Sequence, residues 1–190
     1  MAEDSTNNES VAFLLIKTAN FAAIKHKNQK RKDPERTPYI NHPIGVAEIL
    51  TEEAKITDCE VLQTALLHDT VEDTNTSYDE LVSVFGKAVA DLVMELSDDK
   101  TLPSPIRKQQ QIEHAPHASH KAKLVKLADK LYNLRDLVRS TPEGWTEQRV
   151  NEYFAWAARV VDGLRGTNQL MEDKLDELFV ENLKRKSSPW

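Results

Sequence analysis

In "ALLHDTVEDT", residues 65–74, an apolar run gives way to one histidine and three carboxylates: His68, Asp69, Glu72 and Asp73. Imidazole nitrogen and carboxylate oxygen are ligands for divalent metals, and carboxylates close to such an ion can take a proton from water. On a helical wheel Val61, Leu62, Ala65 and Leu66 form a core-facing stripe, which Asp69, Glu72 and Asp73 continue rather than oppose. If the helix persists, the acids point inward. A buried, unpaired carboxylate costs several kcal/mol, so something positive must sit among them, and a divalent ion is the economical choice. The competing reading is that the helix ends by Asp69 and the acids are solvated. These residues alone leave both open.

Further ligands would have to come from "TPYINHPIGVA" and "KLVKLADKLYNLRDL". His42 directly precedes Pro43, a residue suited to the first helical position, so its imidazole would project from a helix N-terminus. Asp129 is harder to place. Leu124, Leu127, Ala128, Leu131, Leu134 and Val138 share one side of its helix, with Asp129 and Asn133 opposite, and periodicity alone predicts both as solvated. Between Lys25 and Arg36, in "KHKNQKRKDPER", six Lys or Arg and one His face two acids. That segment reads either as a clamp for a small polyanion such as a phosphorylated nucleotide, or as a solvated helix end or an import-like patch.

The elements that must position these groups are helical. Five glycines, little β-branched alternation and apolar residues at helical spacing predict an all-α fold. About nine helices are expected, over 11–26, 43–54, 59–71, 78–84, 87–96, 105–114, 119–138, 146–164 and 167–185. "TDCE" at Thr57 and "SYDE" at Ser77 have the Ser/Thr-x-x-Glu form of a helix start, and Gly86 and Gly166 suit helix ends. "DDKTLPSP" reads as an exposed loop. Residues 10–185 are expected to form a single compact domain, with a disordered tail at 1–9 and a frayed one at 186–190.

With 190 residues the chain can bury roughly two-thirds of its unfolded surface without staples. Its lone cysteine, Cys59, excludes an internal disulfide and suits a reducing compartment, with the cytoplasm as the expected location. The apolar run "VAFLLI" is far short of the roughly 20 residues needed to span a bilayer. A net charge of -6 argues against a nucleic-acid or anionic-membrane partner.

Taken together, "YINHPIGVA", "ALLHDTVEDT" and "KLVKLADKLYNLRDL" strongly resemble the hydrolase domain of the RelA/SpoT alarmone enzymes, within the HD phosphohydrolase superfamily. With "RKDP" and "TPEGW...EYF", the likeness is greatest to the small stand-alone hydrolases called metazoan SpoT homologues, which lack synthetase and regulatory domains. The resemblance implies a compact HD-domain fold that hydrolyses the 3′-diphosphate of (p)ppGpp, giving GDP or GTP and pyrophosphate. It further implies Mn²⁺ held by His42, His68, Asp69 and Asp129, a catalytic acidic pair in Glu72 and Asp73, and substrate contacts from Arg31, Lys32 and Asn133, with Tyr153 as a substrate-side aromatic. No redox or organic cofactor is implied. Asp129 as a ligand would require its helix to be covered on two faces, against the wheel. The remaining histidines, at 26, 114, 117 and 120, match no role and are expected on the surface. Two rivals stand beside this reading: a phosphatase acting on another nucleotide, for example on the 2′-phosphate of NADPH, and a helical binding module with a structural metal. Oligomeric state is left open.

Overall fold

The computed structural model describes residues 10–187. The expected tail at 1–9 and residues 188–190 lie outside them, and residues 186 and 187 close the last helix. Ten α-helices follow one another along the described residues: α1 (Val11–Lys25), α2 (Asn41–Glu48), α3 (Cys59–Leu67), α4 (Thr70–Asp73), α5 (Tyr78–Phe85), α6 (Lys87–Leu96), α7 (Ser104–His114), α8 (His120–Arg139), α9 (Glu147–Asp162) and α10 (Gln169–Ser187). The fold is all-α, as the periodicity predicts. Among the described residues the β structure is one isolated bridge, Lys30 with Pro38, and no helix is long and apolar enough to cross a membrane.

Helix starts are set by local capping chemistry. The side chains of Ser10, Ser77, Ser119 and Thr146 each accept a hydrogen bond from a first-turn amide. At α3 the cap is one residue later than "TDCE" suggests, because Asp58 rather than Thr57 accepts from the Glu60 and Val61 amides. α2 also starts earlier than expected, at Asn41, which puts Pro43 inside a first turn where a missing N–H costs nothing. α2 continues into a wider π-type turn over Ile49–Glu53. Gly86 (φ 85°) ends α5 in a backbone region that favours glycine, whereas α9 ends at Gly163 and Gly166 (φ 79°) turns the chain three residues later.

Two differences from the expected elements bear on the site. α3 stops at Leu67 instead of running to 71, because Asp69 leaves helical geometry (φ -98°, ψ -2°) and a separate single turn, α4, carries Glu72 and Asp73. The second is α8. Ala122, Leu124, Val125, Leu127, Ala128, Leu131 and Leu134 are buried, and so is Lys130, so cover extends beyond one amphipathic stripe. The solvated side predicted for Asp129 is a lined interior.

α3 is the central helix: every residue from Val61 to Leu67 is buried, and it packs against α1, α2, α6 and α8. The larger core joins Val46, Ile49 and Leu50 to Val61, Leu62 and Ala65, to the α8 leucines, and to Phe154, Val160, Val161, Met171 and Leu175 of the last two helices. A smaller cluster of Ala22, Leu67, Leu81, Val89, Ala90 and Val93 closes the other end. α2 lies against α8 at Gly45, where a Cβ would intrude on the ring of Tyr132. That ring in turn meets His42 at 4.9 Å between centroids. Gly45→Ala is therefore expected to destabilise the fold by about 1–3 kcal/mol through overpacking, read as a lower urea midpoint at unchanged slope.

Candidate active site

His42 comes from the first turn of α2, His68 and Asp69 from the break after α3, and Asp129 from the middle of α8. Their donor atoms converge. The two Nε2 atoms are 3.2 Å apart. Asp69 Oδ2 lies 3.0 Å from His68 Nε2 and 3.5 Å from His42 Nε2, while Asp129 Oδ1 lies 3.2 Å from His42 Nε2 and 3.8 Å from His68 Nε2. His42, His68 and Asp69 satisfy the mutual spacing of a metal-holding group, and Asp129 meets that group at its two imidazoles. The two imidazoles are almost fully buried, and the two carboxylates mostly so.

The donor chemistry fits an ion. His68 Nδ1 is 2.7 Å from the Ala65 carbonyl, which can only accept, so the ring donates from Nδ1 and turns Nε2 to the common point, where an ion would take the place of the Nε2 proton. Asp69 accepts from the Tyr39 hydroxyl at 2.6 Å, and Asp129 accepts from Lys130 at 2.8 Å and from Asn133 at 2.7 Å. Each carboxylate thus has an outer partner that fixes its direction. Burial works against the charged form of both, but the neighbouring groups outweigh it: His68 and His42 hold Asp69 well below the usual range, and Lys130 with the imidazoles does so for Asp129. Burial lowers the His68 imidazole, yet Asp69 and Asp129 prevail and bring it up to about 9. The cluster attracts positive charge.

Glu72 and Asp73 sit one turn further on. Glu72 accepts from the Asp98 amide at 3.2 Å and faces Lys100 at 3.1 Å and Arg107 at 3.6 Å. Asp73 takes Lys100 on Oδ1 at 2.7 Å and the Gln29 amide on Oδ2 at 3.0 Å. Neither of the readings left open by the sequence describes this pair. The helix does end before it, and yet the acids remain mostly buried, because a lysine from the loop after α6 spans them. Burial raises Glu72 above the ordinary carboxylate range in spite of the Asp98 amide and Lys100.

A cleft of about 850 Å³ opens beside the acids, lined by Arg31, Lys32, Tyr39, Asp73, Asn133 and Tyr153, among others. The segment 26–40 reaches it as a loop pinned by Arg31 N to Thr37 O (2.8 Å) and Tyr39 N to Gln29 O (3.0 Å). Arg31 Nη2 donates to Asn133 and to Asp136, both at 2.8 Å. Tyr153, pushed up to about 12 by burial, packs with Trp145 and Trp156. All ten residues singled out in the sequence lie at the donor cluster, at the acidic pair or along this cleft.

Sequence reasoning missed other members. Lys100 lies in "DDKTLPSP", whose composition signals only a loop. Tyr39 sits inside a quoted motif but carries no metal-ligand type. Lys130 carries no signal of its own in the sequence, and here it is buried between Asp129 and the Trp156 ring, 4.9 Å from the ring centroid. His26 is a correction: it is 2% exposed, not a surface histidine, whereas His114, His117 and His120 are exposed.

A family model described as HD domain matches residues 18–159. The guanosine-3′,5′-bis(diphosphate) 3′-pyrophosphohydrolase MESH1 of Danio rerio is 66% identical over 174 residues, covering 92% of this chain and 97% of its own. The MESH1 of Homo sapiens is 66% identical over 170 residues, covering 90% of this chain and 95% of its own. A solved structure, reported as a metazoan ortholog of SpoT that hydrolyzes ppGpp and plays a role in starvation responses, aligns with a TM-score of 0.87 at 54% identity, over 88% of this chain and 94% of that one.

Two measurements check the outer partners. Tyr39→Phe removes the donor to Asp69 and should weaken divalent-metal affinity by about tenfold, read by titration calorimetry, with the fold intact. Lys100→Met removes a cation that favours ionised Glu72, so the Glu72 pKa should rise further; carboxyl ¹³C NMR reads the direction of the shift.

Proposed function

The chain belongs to the HD-domain family, and from that premise we propose that it hydrolyses the 3′-diphosphate of ppGpp to GDP and pyrophosphate, and that of pppGpp to GTP and pyrophosphate. One observation carries the reading: His42, His68 and Asp69, with Asp129 against the two imidazoles, gather their donors beside a paired Glu72 and Asp73, next to a cleft that carries Arg31, Lys32 and Lys100. Helical packing does not need that arrangement.

His42, His68, Asp69 and Asp129 would hold a divalent ion, Mn²⁺ in this proposal, which when bound supplies Lewis acidity that brings the pKa of water towards neutrality. The protein's own residues do the rest. Asp73, on the cleft wall, and Glu72 behind it orient the attacking water and accept its proton, a role suited to carboxylates whose environments differ. Oxygen from that water bonds to the phosphorus attached to O3′, the P–O3′ bond breaks, and the nucleoside oxygen takes up a proton. Arg31 and Lys32 offset charge on the phosphoryl oxygens, with Arg31 held in place by Asn133 and Asp136. Tyr153 supplies an aromatic wall on the nucleotide side. The single cysteine supports placing the protein in the cytosol.

Incubating the Mn²⁺-loaded protein separately with ppGpp and NADPH distinguishes the substrates. Pyrophosphate and GDP from ppGpp are expected, lost by at least about 10³-fold in Asp69→Ala, which removes a donor together with its charge. Orthophosphate from NADPH without turnover of ppGpp would replace this reading by its phosphatase rival.

A further inference from the structure

His26 closes α1 and is buried, although it neither holds the ion nor reaches the cleft lining. Its Nδ1 is 2.7 Å from Gln29 Oε1, and Gln29 Nε2 donates to Asp73 Oδ2 at 3.0 Å. The direction of this chain follows from its far end. A carboxylate only accepts, so Gln29 must turn its NH₂ towards Asp73; its carbonyl oxygen therefore faces the ring, and His26 Nδ1 must be the donor. His26 Nε2 is buried with no partner, so the ring reaches outward through Nδ1 alone.

A glutamine amide is free to turn about its last torsion, and a half-turn would set its carbonyl oxygen against the Asp73 carboxylate. The Nδ1 proton on Oε1 opposes the turn from the other side. The ring itself is held against Tyr39, tilted by 32° at 4.9 Å between centroids, and the Tyr39 hydroxyl donates to Asp69. Gln29 is tethered through its backbone, N to His26 O at 2.9 Å and O to Tyr39 N at 3.0 Å. The other anchor of Asp73, Lys100, is half exposed on a loop, which makes the Gln29 side the stiffer one.

We propose that His26 is a positioning residue: through Gln29 it sets the orientation of the Asp73 carboxylate that faces the cleft. The proposal rests on the hydrolytic role given to Asp73 above. It separates donation from packing, because asparagine can present an amide N–H near the position of Nδ1 and leucine cannot.

In the Mn²⁺-loaded enzyme, His26→Leu should lower kcat on ppGpp roughly 10- to 100-fold with much less change in KM. His26→Asn should recover most of that kcat, although it fills the ring's space less well. Gln29→Leu should match His26→Leu, and the double variant should be no slower than either single one, since they act in series. Equal kcat losses in His26→Leu and His26→Asn, or losses that multiply in the double variant, would overturn the proposal. Crystal structures of the two His26 variants test it without turnover: the Gln29 amide should leave Asp73 in His26→Leu and stay in His26→Asn, and an unmoved amide in both would refute it. A wild-type protein inactive on ppGpp would sink the functional reading and not this geometry.

Discussion

Negative charge enclosed by apolar helices is the constraint around which this molecule is built. Asp69, Glu72, Asp73 and Asp129 all lie on the interior side of a fold whose central helix is buried along nearly its whole length. Carboxylates in that position are tolerated only with a counter-charge or donor on each, and every one has it: Tyr39 and the imidazoles for Asp69, Lys130 and Asn133 for Asp129, Lys100 with Arg107 for Glu72, Lys100 with Gln29 for Asp73. The partners come from the loop after α1, from α6's trailing loop, from α7 and from α8. For Glu72 and Asp73 the local sequence therefore holds little of what neutralises them, whereas Asp69 and Asp129 draw in part on their neighbours His68, Lys130 and Asn133.

Backbone geometry follows from the same constraint. Were α3 to run on through residue 71, its acids would stay in helical register with the leucines and share their core. Instead the chain breaks at Asp69, which lets His68 and Asp69 face the donor cluster while α4 swings Glu72 and Asp73 towards the cleft and Lys100. Gly45 matters for a related reason: without a Cβ, α2 can approach Tyr132 closely enough for that ring to support His42. Precise ligand placement is thus inherited from helix packing rather than from flexible loops.

How much of this is legible in the sequence depends on the range of the interaction that decides each feature. Helix type, most caps and the apolar stripe of α3 are local and can be read from periodicity and capping residues. The ligand types at His42, His68 and Asp69 are visible because few residues bind metal. Asp129 shows the limit. A wheel compares a helix with itself and assumes one dry face, whereas α8 is enclosed by several elements, so its polar side became an interior wall. Only the resemblance of "KLADKLYNLRDL" to a known family points there. Lys100, Lys130 and His26 were invisible for the same reason. Their types say solvent, and what holds each of them is a partner distant in sequence or a ring above it.

The acidic pair illustrates what such long-range partners add. Adjacent in sequence, Glu72 and Asp73 would be equivalent if only the chain around them mattered. In the fold they are not. Glu72 turns to the Asp98 amide and Arg107, and burial lifts its pKa; Asp73 stands on the cleft wall between Gln29 and Lys100. A single lysine bridging both keeps them close without making them alike. The asymmetry between the two carboxylates is created by the residues that the local sequence leaves out.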